Sequence, residues 1–179
     1  MSVTFKRLLL MQSMLISKMV IKNIHQAPKI NKIVIHSGIN YKQIDVKELR
    51  TSIRLDLQLI TNSKPAYSKA KSSIANFNIK RGDAIGYKAT LRGRRLFNFL
   101  DKLIEVTTLK IKSLSILNVK SFDNAGNITF GVPDYSPFSE ETSSIIARPL
   151  GMNITLQLKS ECLLHSIMLL RAIGFTVLT

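Results

Sequence analysis

Cysteine is almost missing from this chain. Cys162 is the only one in 179 residues, so neither an intrachain disulfide nor a multi-cysteine zinc site can be assembled, and a reducing compartment is expected. Acids are scarce as well: 11 Asp and Glu stand against 26 Lys and Arg, a formal net charge of +15. Self-repulsion of that size persists where an anionic partner offsets it, which points to nucleic acid or an anionic membrane surface. Long apolar runs are lacking too. Gln12, Ser13 and Lys18 break the first candidate, and His165 with Ser166 the last, so nothing reaches the roughly 18–20 apolar residues that span a bilayer.

The residue patterns of catalysis are equally scarce. His25, His36 and His165 lie far apart, none beside a cysteine or carboxylate at ligand spacing, so no metal is expected. His165 reads as a packed or rim histidine and Cys162 as a small buried hydrophobe. Ser72-Ser73 and Ser143-Ser144 have no Gly-framed elbow, and no Gly-rich phosphate loop occurs. The expectation is a protein that is not an enzyme and uses no cofactor.

What is there is foldable. Hydrophobic residues make up 45% and charged ones 21%, the balance of a globular chain, and the length fits a single domain over residues 1–179. The charge is uneven. Residues 64–95 hold nine Lys or Arg against the lone acid Asp83; seven basic residues and no acid precede Asp45; residues 121–179 hold three basic residues against five acids. The anionic partner is therefore expected on the first two thirds.

Residues 1–27 read as an N-terminal helix. Lys6 and Arg7 before Leu8-Leu9-Leu10-Met11 look like a targeting signal, but Phe5, Leu8, Leu9, Leu15, Ile16, Met19 and Val20 fall largely on one stripe, which favours an amphipathic helix packed on the body. Ile30 to Gly38 reads as a strand. Ile44, Leu49, Ile53, Leu57 and Ile60 predict a helix ending at Asn62-Ser63, with a strand after Pro65. Polar, basic residues 71–86 suggest a long, mobile, projecting loop. Ile85 to Leu91 reads as a strand, and Gly93 to Val106 as a helix with Leu96, Phe97, Leu100, Leu103 and Ile104 on its apolar face.

Farther on, Asp123-Asn124-Ala125-Gly126-Asn127 signals a turn before a strand from Ile128. Residues 133–151 read as a surface excursion. Met152 to Leu158 alternates like a half-buried strand, and a helix over 160–173 should stop at Gly174. The pattern predicts an α+β fold: an antiparallel or mixed sheet with helices packed on one face, the other face free to bind, and a long basic loop projecting.

Arg94 and Arg95 fall in the first turn of a predicted helix, where the macrodipole disfavours cations. Local stability would select acids there. Guanidinium forks at that place can instead pair with RNA phosphates, although a solvated basic face is the plain alternative.

At these residues the chain resembles the universal L-five family of large-subunit ribosomal proteins, bacterial and organellar type. Lys64-Pro65 followed by Ser68-Lys69-Ala70-Lys71-Ser72-Ser73-Ile74-Ala75-Asn76-Phe77 is similar to a family block. So are Ile85-Gly86 with Lys88-Ala89-Thr90-Leu91-Arg92-Gly93, Lys120-Ser121-Phe122-Asp123 with Gly126-Asn127, and Arg171-Ala172-Ile173-Gly174-Phe175. The likeness covers about residues 28–175. It implies a protein of the central protuberance with its sheet side on 5S RNA, contacts to large-subunit RNA and to a small-subunit bridge protein, and a loop reaching peptidyl-site transfer RNA.

Charge and resemblance together give an expected RNA-binding set of Lys32, His36, Lys64, Lys69, Lys88, Thr90, Arg92, Arg94 and Arg95. Lys71, Ser72, Asn76, Phe77, Lys80 and Arg81 form the expected transfer-RNA loop. Phe77 either stacks on an exposed base or ribose or pins the loop to the body.

The chain departs from the family at His36-Ser37-Gly38-Ile39-Asn40, which keeps one glycine of the usual Asn-x-Gly-x-Gly. Asn76 stands in place of glycine, and Ser115-Ile116-Leu117-Asn118 in place of Arg-Gly-Leu-Ser. These changes, with Asn, Ile and Lys favoured at surface positions, suggest an AT-rich organellar gene, with the mitochondrial matrix favoured over a chloroplast or a bacterial cytoplasm. A peripheral membrane protein using basic amphipathic residues 3–22 is the competing reading, and an RNA-modifying enzyme the third. The first would need its charge in that helix rather than in 64–95, and the second an acid/base or cofactor site.

Overall fold

The computed structural model describes residues 23–39, 47–109, 116–134, 136–138, 151–160 and 162–178. The N-terminal helix expected over 1–27 lies outside these residues up to Lys22, as does most of the excursion over 133–151.

Strand β1 (Lys29–Gly38) leads to helix α1 (Lys47–Thr61), strand β2 (Ala66–Lys69), strand β3 (Ala84–Leu91) and helix α2 (Arg94–Leu109). Strands β4 (Ile116–Asn118), β5 (Ile128–Val132) and β6 (Met152–Lys159) follow, then helix α3 (Leu163–Ile173) and strand β7 (Thr176–Leu178). Five strands form one antiparallel sheet in the order β2-β3-β1-β6-β5. The end of β1 meets the start of β3, where the Ile39 amide donates to the Ile85 carbonyl at 2.9 Å. It also meets the start of β6, where the Ser37 hydroxyl donates to the Gly151 carbonyl at 2.9 Å. The predicted α+β class is thus the observed one.

Period-two alternation sets the layers. Ile33, Ile35 and Ser37 on β1, Tyr87, Ala89 and Leu91 on β3, and Met152, Ile154, Leu156 and Leu158 on β6 are buried, while the residues between them are half-buried or exposed. Each fully buried Ile or Leu contributes about 1.5–3 kcal/mol through removal of apolar surface from water.

Backbone proximity divides the chain into two compact units, with breaks after Ile33 in β1, after Leu91, after Phe130 in β5 and after Ile154 in β6. In the unit with α1, Ile53, Leu57 and Ile60 are buried. The Arg54 guanidinium lies 5.9 Å from the centre of the Tyr67 ring, and Tyr67 in turn packs on Tyr87 at 5.1 Å, which puts α1 on the buried side of β3. The helix stops as its sequence requires: Asn62 takes a left-handed φ of 50°, and the Thr61 hydroxyl donates back to the Leu57 carbonyl at 2.6 Å.

In the other unit, α2 buries Leu96, Phe99, Leu100, Leu103 and Val106, so Phe99 and Val106 take the core places expected of Phe97 and Ile104, which are half-buried. Helix α3 begins at Leu163, three residues later than expected, and ends at Gly174, whose φ of 126° excludes most side chains. The Gly174 amide donates to the Leu170 and Arg171 carbonyls. Phe175 then meets Phe130 of β5 at 6.5 Å. Strands β4 and β7, which the pattern did not predict, pair in parallel, and Arg171 Nη2 donates to the Val177 carbonyl at 2.9 Å.

The predicted turn at 123–127 is present. Asp123 Oδ1 accepts from the amides of Ala125 at 3.0 Å and Asn127 at 2.7 Å, and Oδ2 accepts from Asn127 Nδ2 at 2.8 Å. The Asn127 side chain, then its amide, hold the Asp123 carboxyl below the usual aspartate pKa. Cys162 is exposed at the N-cap of α3, not buried as expected. His165 is half-buried as expected of a rim residue, with Nδ1 enclosed.

Candidate nucleic-acid interface

On β1 the residues opposite the core row are Lys32, Val34 and His36, all half-buried; on β3 they are exposed Lys88 and half-buried Thr90. Gly86 lies in the same row and explains where His36 goes. A Cβ added at Gly86 would come within 2.8 Å of the Ser37 carbonyl oxygen and 3.0 Å of His36 Nε2. The imidazole therefore lies over the glycine, and the β1 and β3 backbones approach closely.

Strict alternation along β2 would send Lys69 to the side of Tyr67. The register of its pairing with β3 shifts there. Ser68 pairs with Gly86, but Lys69 pairs with Ala84, so Ile85 is the extra residue of a bulge in β3, and Lys69 is exposed opposite it at the end of β2. Lys88, His36 and Thr90 thus share one open face, and Lys32 lies two positions along from Val34 in the same row of β1. Lys64 is exposed ahead of Pro65 and outside any strand.

β3 starts at Ala84, so the loop expected over 71–86 covers residues 70–83 and carries its own structure. Ile74 and Ile79 exchange backbone hydrogen bonds at 2.9 and 3.2 Å around a single 3-10 turn, Ala75–Phe77. Asn78 closes that turn in the left-handed region with φ 54°. At the base, the Ala70 amide donates to the Asp83 carbonyl at 2.8 Å and the Gly82 amide to the Ala70 carbonyl at 3.0 Å. Lys71, Ser72, Asn76, Lys80 and Arg81 are all exposed. Phe77 is 58% exposed and Ile74 45%, so Phe77 does not pin the loop to the body.

Arg92, Arg94 and Arg95 are exposed at the entry to α2, where Gly93 turns the chain with φ 57° and no acid stands in the first turn. The helix dipole goes uncompensated there, as the sequence predicted.

Sequence reasoning missed two kinds of residue. Ser73 Oγ accepts from the Arg81 amide at 3.0 Å, and Asp83 Oδ2 from the Lys80 amide at 2.8 Å; both are short polar side chains inside a basic loop, a weak signal. The open rows of β5 and β6 are the other kind. Thr129 and Thr155 hydroxyls meet at 3.1 Å, with half-buried Gln157 farther along β6. These alternating polar positions were visible in the sequence but carry no charge. Among the described residues no three metal-ligating side chains cluster, and no helix is long and apolar enough to cross a membrane.

Comparison with known proteins covers most of the chain. Residues 23–80 match the family model for ribosomal protein L5, and residues 84–177 match the model for the C-terminus of the same ribosomal family. Large ribosomal subunit protein uL5 of Tropheryma whipplei (strain Twist) is 41% identical over 141 residues, 79% of this chain and 76% of the relative. Protein uL5c of Euglena longa is 35% identical over 161 residues, 90% of this chain and 89% of the relative. Protein uL5 of Blochmanniella floridana is 39% identical over 154 residues, 86% of this chain and 80% of the relative.

Proposed function

Because the chain belongs to the L5 family of ribosomal proteins, and is thereby a non-enzymatic structural constituent of the large ribosomal subunit, we propose that it binds 5S RNA and large-subunit RNA in the central protuberance and touches peptidyl-site transfer RNA with its loop. The observation that carries this reading is the open face shared by His36 of β1 and Lys88 and Thr90 of β3, with β3 and the exposed Lys69 of β2 inside the segment of densest positive charge, residues 64–95. Lysines there neutralise phosphates and release counterions, while His36 and Thr90 offer hydrogen bonds to riboses or base edges. Arg92, Arg94 and Arg95 supply guanidinium forks for phosphates, and Lys32 on β1 and Lys64 ahead of β2 add charge.

The loop has a different task in this proposal. Lys71, Lys80 and Arg81 hold phosphates, Ser72 and Asn76 offer polar contacts, and Phe77 stacks on an exposed base or ribose of the transfer RNA. The remaining partners we propose are neighbouring ribosomal proteins, including a small-subunit protein across the bridge. The compartment we propose is the mitochondrial matrix, a reading supported by the frequency of Asn, Ile and Lys in the sequence; the relatives are bacterial and organellar.

Replacing Lys69 and Lys88 by Gln should weaken 5S RNA binding and reduce the log–log salt slope by about one unit per lysine. An unchanged slope in filter-binding titrations over several salt concentrations would remove these two lysines from the interface.

A further inference from the structure

We infer that Ser73 and Asp83 are positioning residues that fix the backbone of Lys80 and Arg81 before RNA arrives, an inference that rests on the transfer-RNA reading of the loop. Asp83 is the only acid among the nine Lys and Arg of residues 64–95, and a carboxylate there opposes phosphate binding. What it does in the fold accounts for its presence. Its Oδ2 accepts the Lys80 amide at 2.8 Å, its own amide donates to the Lys80 carbonyl at 3.1 Å, and its carbonyl accepts the Ala70 amide at 2.8 Å. Gly82 completes this turn with φ 95°.

Ser73 acts from across the loop, its hydroxyl accepting the Arg81 amide eight residues on at 3.0 Å. Both bonds end on consecutive backbone amides of the two cations that lead into Gly82, so the directions of the Lys80 and Arg81 side chains are set by Asp83 and Ser73. Between these anchors and the tip, the Ile74–Ile79 pair leaves Phe77 outward. A loop held this way loses less conformational entropy on binding than a free segment of the same length.

The test uses full-length protein and ribosomes carrying it, with amide exchange of Lys80 and Arg81, 5S RNA binding and retention of purified transfer RNA in the peptidyl site as readouts. Ser73→Ala should speed exchange at Arg81, and Asp83→Ala at Lys80. Each should weaken transfer-RNA retention about two- to tenfold, the loss expected of one hydrogen bond, with 5S binding unchanged. Ser73→Thr should restore both readouts. Asp83→Asn keeps an acceptor oxygen without the charge, so it should keep Lys80 protected and hold transfer RNA as well as the native protein or better.

Native retention in both Ala variants, alongside a loss when Lys71, Lys80 and Arg81 become Ser, would overturn the positioning role and leave the loop reading standing. Native retention in that triple variant as well would overturn the loop reading and the positioning role with it. If Asp83→Asn falls as far as Asp83→Ala, the charge and not the hydrogen bond is what matters, and the inference fails.

Discussion

Single atoms decide several features of this protein. Gly86 is one: the 2.8 Å approach of the Ser37 carbonyl to its missing Cβ leaves no room for a methyl group. Gly86→Ala should therefore destabilise the fold by about 1–3 kcal/mol through overpacking and displace His36 from its place over the glycine. Thermal melting and the His36 ring resonances report the two effects. Asp123 is another. Its folded pKa is depressed by Asn127, so its contribution to stability is present above the unfolded aspartate pKa and is lost as pH falls through the lower folded value. Asp123→Asn should remove this part of the acid limb of a stability-versus-pH curve, most visibly below about pH 4. An acid limb identical to the native one would show that the carboxylate bonds add nothing.

At the scale of elements, α2 combines a buried apolar face with cations at its positive end. Changing Arg94 and Arg95 to Gln should weaken RNA binding while the melting temperature stays level or rises slightly, since two unfavourable dipole interactions are removed. A large fall in melting temperature would make the arginines structural. Elements with a long period were legible in the sequence: β6 shows Ile154, Leu156 and Leu158 against Thr155 and Gln157, and α1 repeats Ile53, Leu57 and Ile60. Strands β4 and β7 were not, because three residues hold no readable period and their pairing joins segments about 60 residues apart. The bulge at Ile85 of β3 was hidden for a related reason, since it depends on how β3 pairs with β2. The hydrogen bonds of Ser73 and Asp83 likewise form only once the loop closes. Leu55 and Leu59 remain exposed although a hydrophobicity count would place them inside; the α1 core row runs through Ile53 and Leu57.

For the whole molecule, charge and topology act together. The net charge of +15 is concentrated ahead of residue 96, and the open face of Lys88, His36 and Thr90 lies in that part of the chain. The function class was legible because charge distribution and family blocks are properties of the linear chain, whereas the grouping of site residues needed the sheet. Incorporation into the large ribosomal subunit is the claim on which the rest depends. Sedimentation of the tagged full-length protein from a lysate of its own cells or organelles tests it most directly. The account predicts recovery with the large subunit, with release as salt is raised; recovery only in a light, RNA-free fraction would contradict it.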